Sequence, residues 1–257
     1  MPLESAYPQH LPGKLTVRSF ARIAGLLYLV IIVIGVFGES VIRGTLVVPG
    51  DPAATASNIL GAEWLWRLGI AAQDLLLICA LGLTFAWYVL LRPVNRQLAL
   101  LAVLFAIASL AIEGVSALHL HAVLIPLSDA AYLQAVPPHT LQLTAYQSVV
   151  AHAQAFGLAL VFFGVECIII GYLLRRSGYF PKAIGTLMQI AGICYLVNSF
   201  AMILSPSVQD AIFPYILLPP FIGESAFCLY LLVKGVKLAA WEQCLAHGSQ
   251  DHSRGQV

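Results

Sequence analysis

The chain has 257 residues, 60% hydrophobic and only 10% charged, with a formal net charge of +1. Soluble domains carry about 25% charged residues, so a mean hydropathy of +0.88 excludes a water-soluble enzyme and equally a disordered chain, which needs low hydrophobicity and high charge. Near-neutral charge supplies no field for polyanions, which excludes a nucleic-acid partner; an integral membrane protein remains.

About 20 apolar residues cross a bilayer as a helix, and six stretches qualify: 20–41, 68–91, 97–121, 145–174, 183–204 and 215–236. The runs are continuous rather than alternating, and too long for barrel strands. The predicted fold is therefore an all-α bundle of six transmembrane helices. It occupies residues 18–237, between an N-terminal segment 1–17 and a polar tail 238–257, whose end, Ala246–Val257, is expected to be disordered.

Lys14, Arg18 and Arg22 precede the first helix, and no small-x-small site follows, so it reads as an uncleaved span. In the loop Ile42–Arg67, Asp51 as N-cap and Pro52 at the first helical position start a short helix. With Trp64 and Trp66 behind it, this helix is expected in the membrane interface. Pro93 and Asn95 make Arg92–Arg96 a tight turn between helices two and three. Pro126, Pro137 and Pro138 break the loop Ala122–Thr144, and Ser128–Leu133 is expected to form a capped helical turn. The fourth helix is long enough to tilt or project past the membrane. Ser177, Gly178 and Pro181 turn Arg175–Lys182 between helices four and five. Pro219-Pro220 either kinks helix six or starts it; a start, with Ile212–Leu218 as lead-in, is preferred.

Lys and Arg accumulate in cytoplasmic loops. With the N-terminus inside, Lys14, Arg18, Arg22, Arg92, Arg96, Arg175, Arg176, Lys182, Lys234, Lys237 and Arg254 are cytoplasmic; only Arg43 and Arg67 are outside. Both termini are thus predicted cytoplasmic, in the cell membrane. Trp87, Tyr88, Tyr172, Tyr179 and Trp241 fall at the inner boundary. Tyr88–Arg92 faintly echoes Tyr172–Arg176. The cysteines, odd in number, read as small apolar helix residues.

Charged groups inside a membrane are costly and mark function by default. Counting along the helices places Glu39, Asp74, Glu113, His152, Asn198 and Glu224 in the outer half, one on each helix, with Glu39 positioned to pair with Arg43 one turn on. Glu166, in the inner third of helix four, is the exception. The functional reading is an outward-opening polar cavity lined by Glu39, Arg43, Asp74, Glu113, His152, Asn198 and Glu224. Its acids outnumber nearby bases, so they would take a small-molecule or cation ligand, a proton or a metal. The bland reading is separate polar groups bonding helix to helix.

Three functions compete: a small transporter or ligand-binding protein with that cavity, a structural or accessory protein binding other helices or lipids, and a metal-assisted intramembrane hydrolase. The last is disfavoured, and no cofactor or metal is expected. No HExxH or GxSxG occurs, and His119 and His121 point about 200° apart on a helix. There is no GxxxxGK[ST] phosphate loop either.

Several stretches resemble the uncharacterised bacterial integral-membrane family called domain of unknown function 4386. They are Arg22–Tyr28, Glu39 with Arg43, Val48–Asp51, Tyr88–Asn95, Gly171–Leu174, Ser177–Pro181, and Gly223-Glu224 followed by Lys234-Gly235. The resemblance spans roughly 18–236 and implies a multi-helix membrane protein without a known activity. It touches Glu39, Arg43 and Glu224, whereas Asp74, Glu113, His152 and Glu166 rest on depth alone.

Overall fold

The structure, a computed structural model, describes residues 16–245. Lys14, Arg254 and the end of the tail, all given roles above, lie outside the described residues. Six helices are long and apolar enough to cross a membrane: α1 (Val17–Leu46), α3 (Glu63–Leu91), α4 (Arg96–Ala122), α5 (Pro138–Arg176), α6 (Lys182–Leu204) and α8 (Leu218–Val233). The last is counted as a span together with the preceding turn Tyr215–Leu217. Two shorter helices, α2 (Pro52–Gly61) and α7 (Pro206–Ile212), lie in connections. No strand occurs among the described residues.

The helix ends obey local chemistry. Thr16 caps α1 through Ser19 N, Asp51 caps α2 through Ala54 N at 2.9 Å, and Asn95 caps α4 through Leu98 N at 2.9 Å. Each side-chain oxygen satisfies a backbone donor that the first turn leaves free. Helix α8 carries Pro219 and Pro220 in its first turn, where a missing N–H costs nothing. The diproline therefore starts this helix and does not kink it. The segment Ser128–Leu133 holds only a 3-10 turn, Ala131–Leu133, whose N-cap is Ala130 rather than Ser128.

Consecutive spans pack antiparallel, and α8 returns to α1, closing a ring in the order α1, α3, α4, α5, α6, α8. Half of the apolar stretch of α3 and of α5 is buried, against 22% in α1 and α4. The first two are thus central, and touch across the ring. The rest of the apolar surface faces outward: Leu26, Val33, Ile78, Leu81, Leu104, Leu118, Ile193 and Val233 are all exposed. A belt of this extent is tolerable against lipid and not against water.

The two ends of the ring differ. At one end sit the tight turns at 92–95 and 177–181. Here Tyr179 donates to Leu90 O at 2.6 Å, Cys244 to Pro93 O, and Cys228 to Gly25 O. Every span contributes to the core at this hairpin end; Trp87 and Phe227 stack at 4.7 Å, and Trp241 and Tyr179 are buried. At the opposite, loop end, Trp66 is buried and donates to Leu120 O, while Trp64 is 70% exposed. Gly50, at φ +76, turns the Pro49-Gly50 corner and donates to the Tyr146 hydroxyl oxygen at 2.7 Å.

Small residues set how closely α5 approaches its neighbours. Gly164 faces Gly192 and Gly171 faces Gly185: a Cβ on Gly164 would stand 2.8 Å from the Gly192 carbonyl oxygen. Both pairs fall in one antiparallel register, a heptad apart, which brings the α5 and α6 backbones together. On its other side α5 meets α4 in a second heptad register. There Ser109 Oγ donates to Ala159 O at 2.9 Å and Ser116 meets His152. One heptad further, the same register sets Glu166 opposite Ala102.

Candidate functional site

The polar side chains of the bundle fall in two layers. The first is at the loop end. There α1 widens into a π-helical stretch, Phe37–Arg43, a form frequent at functional sites. Arg43 folds back on Glu39, with Nε to Oε2 at 2.8 Å and the terminal nitrogen to the same oxygen at 2.6 Å. The Arg43 charge also acts on Glu113 of α4 and His152 of α5, and the Glu39 charge on His152. Gln73 of α3 donates to Glu113 Oε1 at 3.0 Å. Ser116 Oγ donates to the His152 carbonyl at 2.8 Å and lies 2.7 Å from its Nδ1, which is also 3.0 Å from Ser116 O. This network puts the imidazole proton on Nδ1 and leaves Nε2 as the free acceptor.

Asp74 stands apart from that group. Gln73 and Asp74 are adjacent, so their side chains diverge by about 100°. Gln73 is buried against Glu113, whereas Asp74 is 49% exposed and meets His121 at 3.3 Å on the outer side of α3 and α4. The open cleft around this pair, about 380 Å³, is lined by Arg67, Ile70, Ala71, Asp74, His121 and Leu124. Of the seven candidate residues only Asp74 lines it.

The second layer lies deeper. Glu224 of α8 accepts a 2.5 Å hydrogen bond from the Tyr195 hydroxyl of α6, and the Tyr28 hydroxyl of α1 is near enough to act on the same carboxyl. Glu166 of α5, 5% exposed, is close enough for the Glu224 charge to act on it. Glu224 as a whole residue is half-buried. Among the described residues no basic side chain acts on either carboxyl. Asn198 lies one turn loopward of Tyr195; its Oδ1 and the neighbouring Ser199 Oγ are buried without a hydrogen-bond partner. Such atoms recruit ordered water.

Heights follow from the rise along a helix. Starting at Arg22, Arg92, Arg96, Arg176, Lys182 and Lys234, a hydrocarbon core about 20 residues deep ends near Ile42, Ala72, Ser116, Phe156, Met202 and Pro214. Glu39, Asp74 and Glu113 then lie just inside the loop-end boundary, Arg43 at it, and His152 and His121 beyond it. Glu166 and Glu224 lie about halfway across. Along α5 alone, Glu166 and His152 are about 21 Å apart. The structure thus gathers Glu39, Arg43, Glu113 and His152 near one boundary, turns Asp74 outward, and sets Asn198 between the layers and Glu224 below. It joins Glu224 to Glu166, Tyr28 and Tyr195, which the sequence reading left out of its candidate set. Among the described residues no three His, Cys, Asp or Glu side chains converge as metal ligands do.

Fold and polar layers together define a multi-pass helical membrane protein. The chain belongs to the family described as "Domain of unknown function (DUF4386)", whose sequence model matches residues 23–235. Over 165 residues it is 28% identical to an uncharacterized protein of Archaeoglobus fulgidus, covering 64% of this chain and 82% of that one. No solved structure matches it.

Proposed function

We propose that the protein is a small transporter or ligand-binding membrane protein that takes up and releases a proton or small monovalent cation in the middle of the bilayer, with Glu166 and Glu224 as the site. One observation carries this reading: two carboxyls from different helices stand at one height about halfway across the bundle, the Glu224 charge acting on Glu166, and among the described residues no basic side chain acts on either. Two negative charges in a low-dielectric site need a counter-charge, and a proton or a cation supplies it. Tyr195 holds Glu224 in place, with the Tyr28 hydroxyl beside it. Asn198 and Ser199, on the loopward side of Tyr195, give water a polar foothold between the two layers. The boundary group of Glu39, Arg43, Glu113 and His152 forms the entrance on that side, with Asp74 at its outer edge.

The distribution of Lys and Arg supports placement in the cell membrane with both termini cytoplasmic. The loop end then faces outward.

Two carboxyls sharing one site titrate as a coupled unit. Infrared titration of the purified protein tests this directly. Replacing Glu166 by Gln is expected to displace the Glu224 titration, and Glu224→Gln that of Glu166. Curves unchanged by either substitution would refute a shared site.

A further inference from the structure

The cleft at the loop end of α3 and α4 is separate from the acid pair and opens on the outside of the ring. It has charges of both signs: Arg67, which bonds Glu63 at 2.7 Å, and Asp74, held to His121 at 3.3 Å. Its height is that of the hydrocarbon boundary, since a core counted from Arg92 ends near Ala72. Below it the lipid-facing side of α3 continues through Leu75, Ile78 and Leu81, all exposed. On the facing side of α4, Gly114 leaves the groove open: a Cβ built there meets nothing within 4 Å. A polar cleft of about 380 Å³ therefore stands at the head of an apolar groove that faces lipid.

We propose that this cleft binds the headgroup of a zwitterionic phospholipid carrying a primary ammonium, with its acyl chains along the groove. Charge complementarity selects the occupant. The Arg67 guanidinium matches a lipid phosphate. The half-exposed Asp74 carboxylate, which His121 Nε2 meets only at 3.3 and 3.4 Å from its two oxygens, has acceptor capacity left for an ammonium N–H. A trimethylammonium offers no N–H donor, and a glycerol headgroup no positive charge.

The test is native mass spectrometry of the full chain, stripped of lipid in detergent and given equal amounts of phosphatidylethanolamine, phosphatidylcholine and phosphatidylglycerol. Phosphatidylethanolamine is expected to be retained about tenfold better than the other two, the worth of one charge-assisted hydrogen bond. Asp74→Asn should abolish that preference, and Arg67→Gln should weaken retention of all three lipids. Ala71→Trp, which fills the cleft and leaves every charge in place, should abolish retention; it also serves if a charge variant unfolds. Equal retention of the three lipids by wild type, or a preference that survives Asp74→Asn or Ala71→Trp, would overturn the assignment.

Discussion

Gly171 of α5 and Gly185 of α6 leave no room for a side chain between them: a Cβ on Gly171 would lie 2.5 Å from the Gly185 carbonyl oxygen. In lipid, where apolar side chains gain nothing by leaving the solvent, such close backbone packing is a principal source of helix association. The α5–α6 hairpin positions Glu166 and Tyr195, so the two glycine pairs support the proposed site as well as the fold.

Gly171→Leu is expected to force the two helices apart at a cost of about 1–3 kcal/mol, lowering the thermal unfolding temperature in detergent. Gly35→Ala is the control. A Cβ at Gly35 meets nothing within 4 Å, and alanine is the better helix former by about 1 kcal/mol. That variant should be as stable as wild type or more so.

Tyr179 ties the second tight turn to the first. Its hydroxyl donates to Leu90 O, a carbonyl at the C-terminal end of α3. Tyr179→Phe strips that buried carbonyl of its partner and should cost about 1–3 kcal/mol at neutral pH. Burial, and then the Cys244 thiol nearby, push the Tyr179 phenol well above its ordinary value. With a raised folded-state pKa, its contribution is fully present below the unfolded value, about 10, and is lost as pH rises beyond it. The difference in stability between wild type and Tyr179→Phe should therefore hold up to about pH 10 and shrink above it. A difference independent of pH there would contradict this account.

The proposed orientation makes a prediction for intact cells. A reporter active only outside the cytoplasm should be active when fused after Asp51 or Ser128, and silent after Asn95, Gly178 or Lys237. The opposite pattern would invert the bundle.

The spans were legible because lipid demands long continuous apolar runs, and the sequence shows six. Their loop-end limits were less so. Helix α3 begins at Glu63 and α5 at Pro138, beyond the expected 68 and 145, because a helix projecting into water needs no apolar composition. Trp66 and Trp241 resembled interface aromatics but are core residues, a distinction that composition does not carry.

For the site, counting residues gives height without direction. Gln73 and Asp74 share a height, yet one faces Glu113 and the other faces outward. Direction was encoded elsewhere, in the heptad spacing of Ala102, Ser109 and Ser116 along α4 and of Gly157, Gly164 and Gly171 along α5. Those small residues mark the two seams of α5. Glu166, a heptad from Ala159 on the α4 seam, belongs inside, and its height measured from Arg176 matches that of Glu224 measured from Lys234. Tyr28 and Tyr195 left no such trace, since a tyrosine in an apolar run looks like any other large side chain.

The most direct test of the central claim is ion movement through purified protein. In proteoliposomes loaded with a pH-sensitive dye, a membrane potential is imposed with proton alone, and then with sodium or potassium present. The account predicts flux of one of these ions in wild type, reduced at least about tenfold, or by about 1.4 kcal/mol, in Glu166→Gln and in Glu224→Gln, but retained in Gly35→Ala. Flux that survives both glutamate substitutions, or none of the three ions moving or binding in correctly folded wild type, would contradict it.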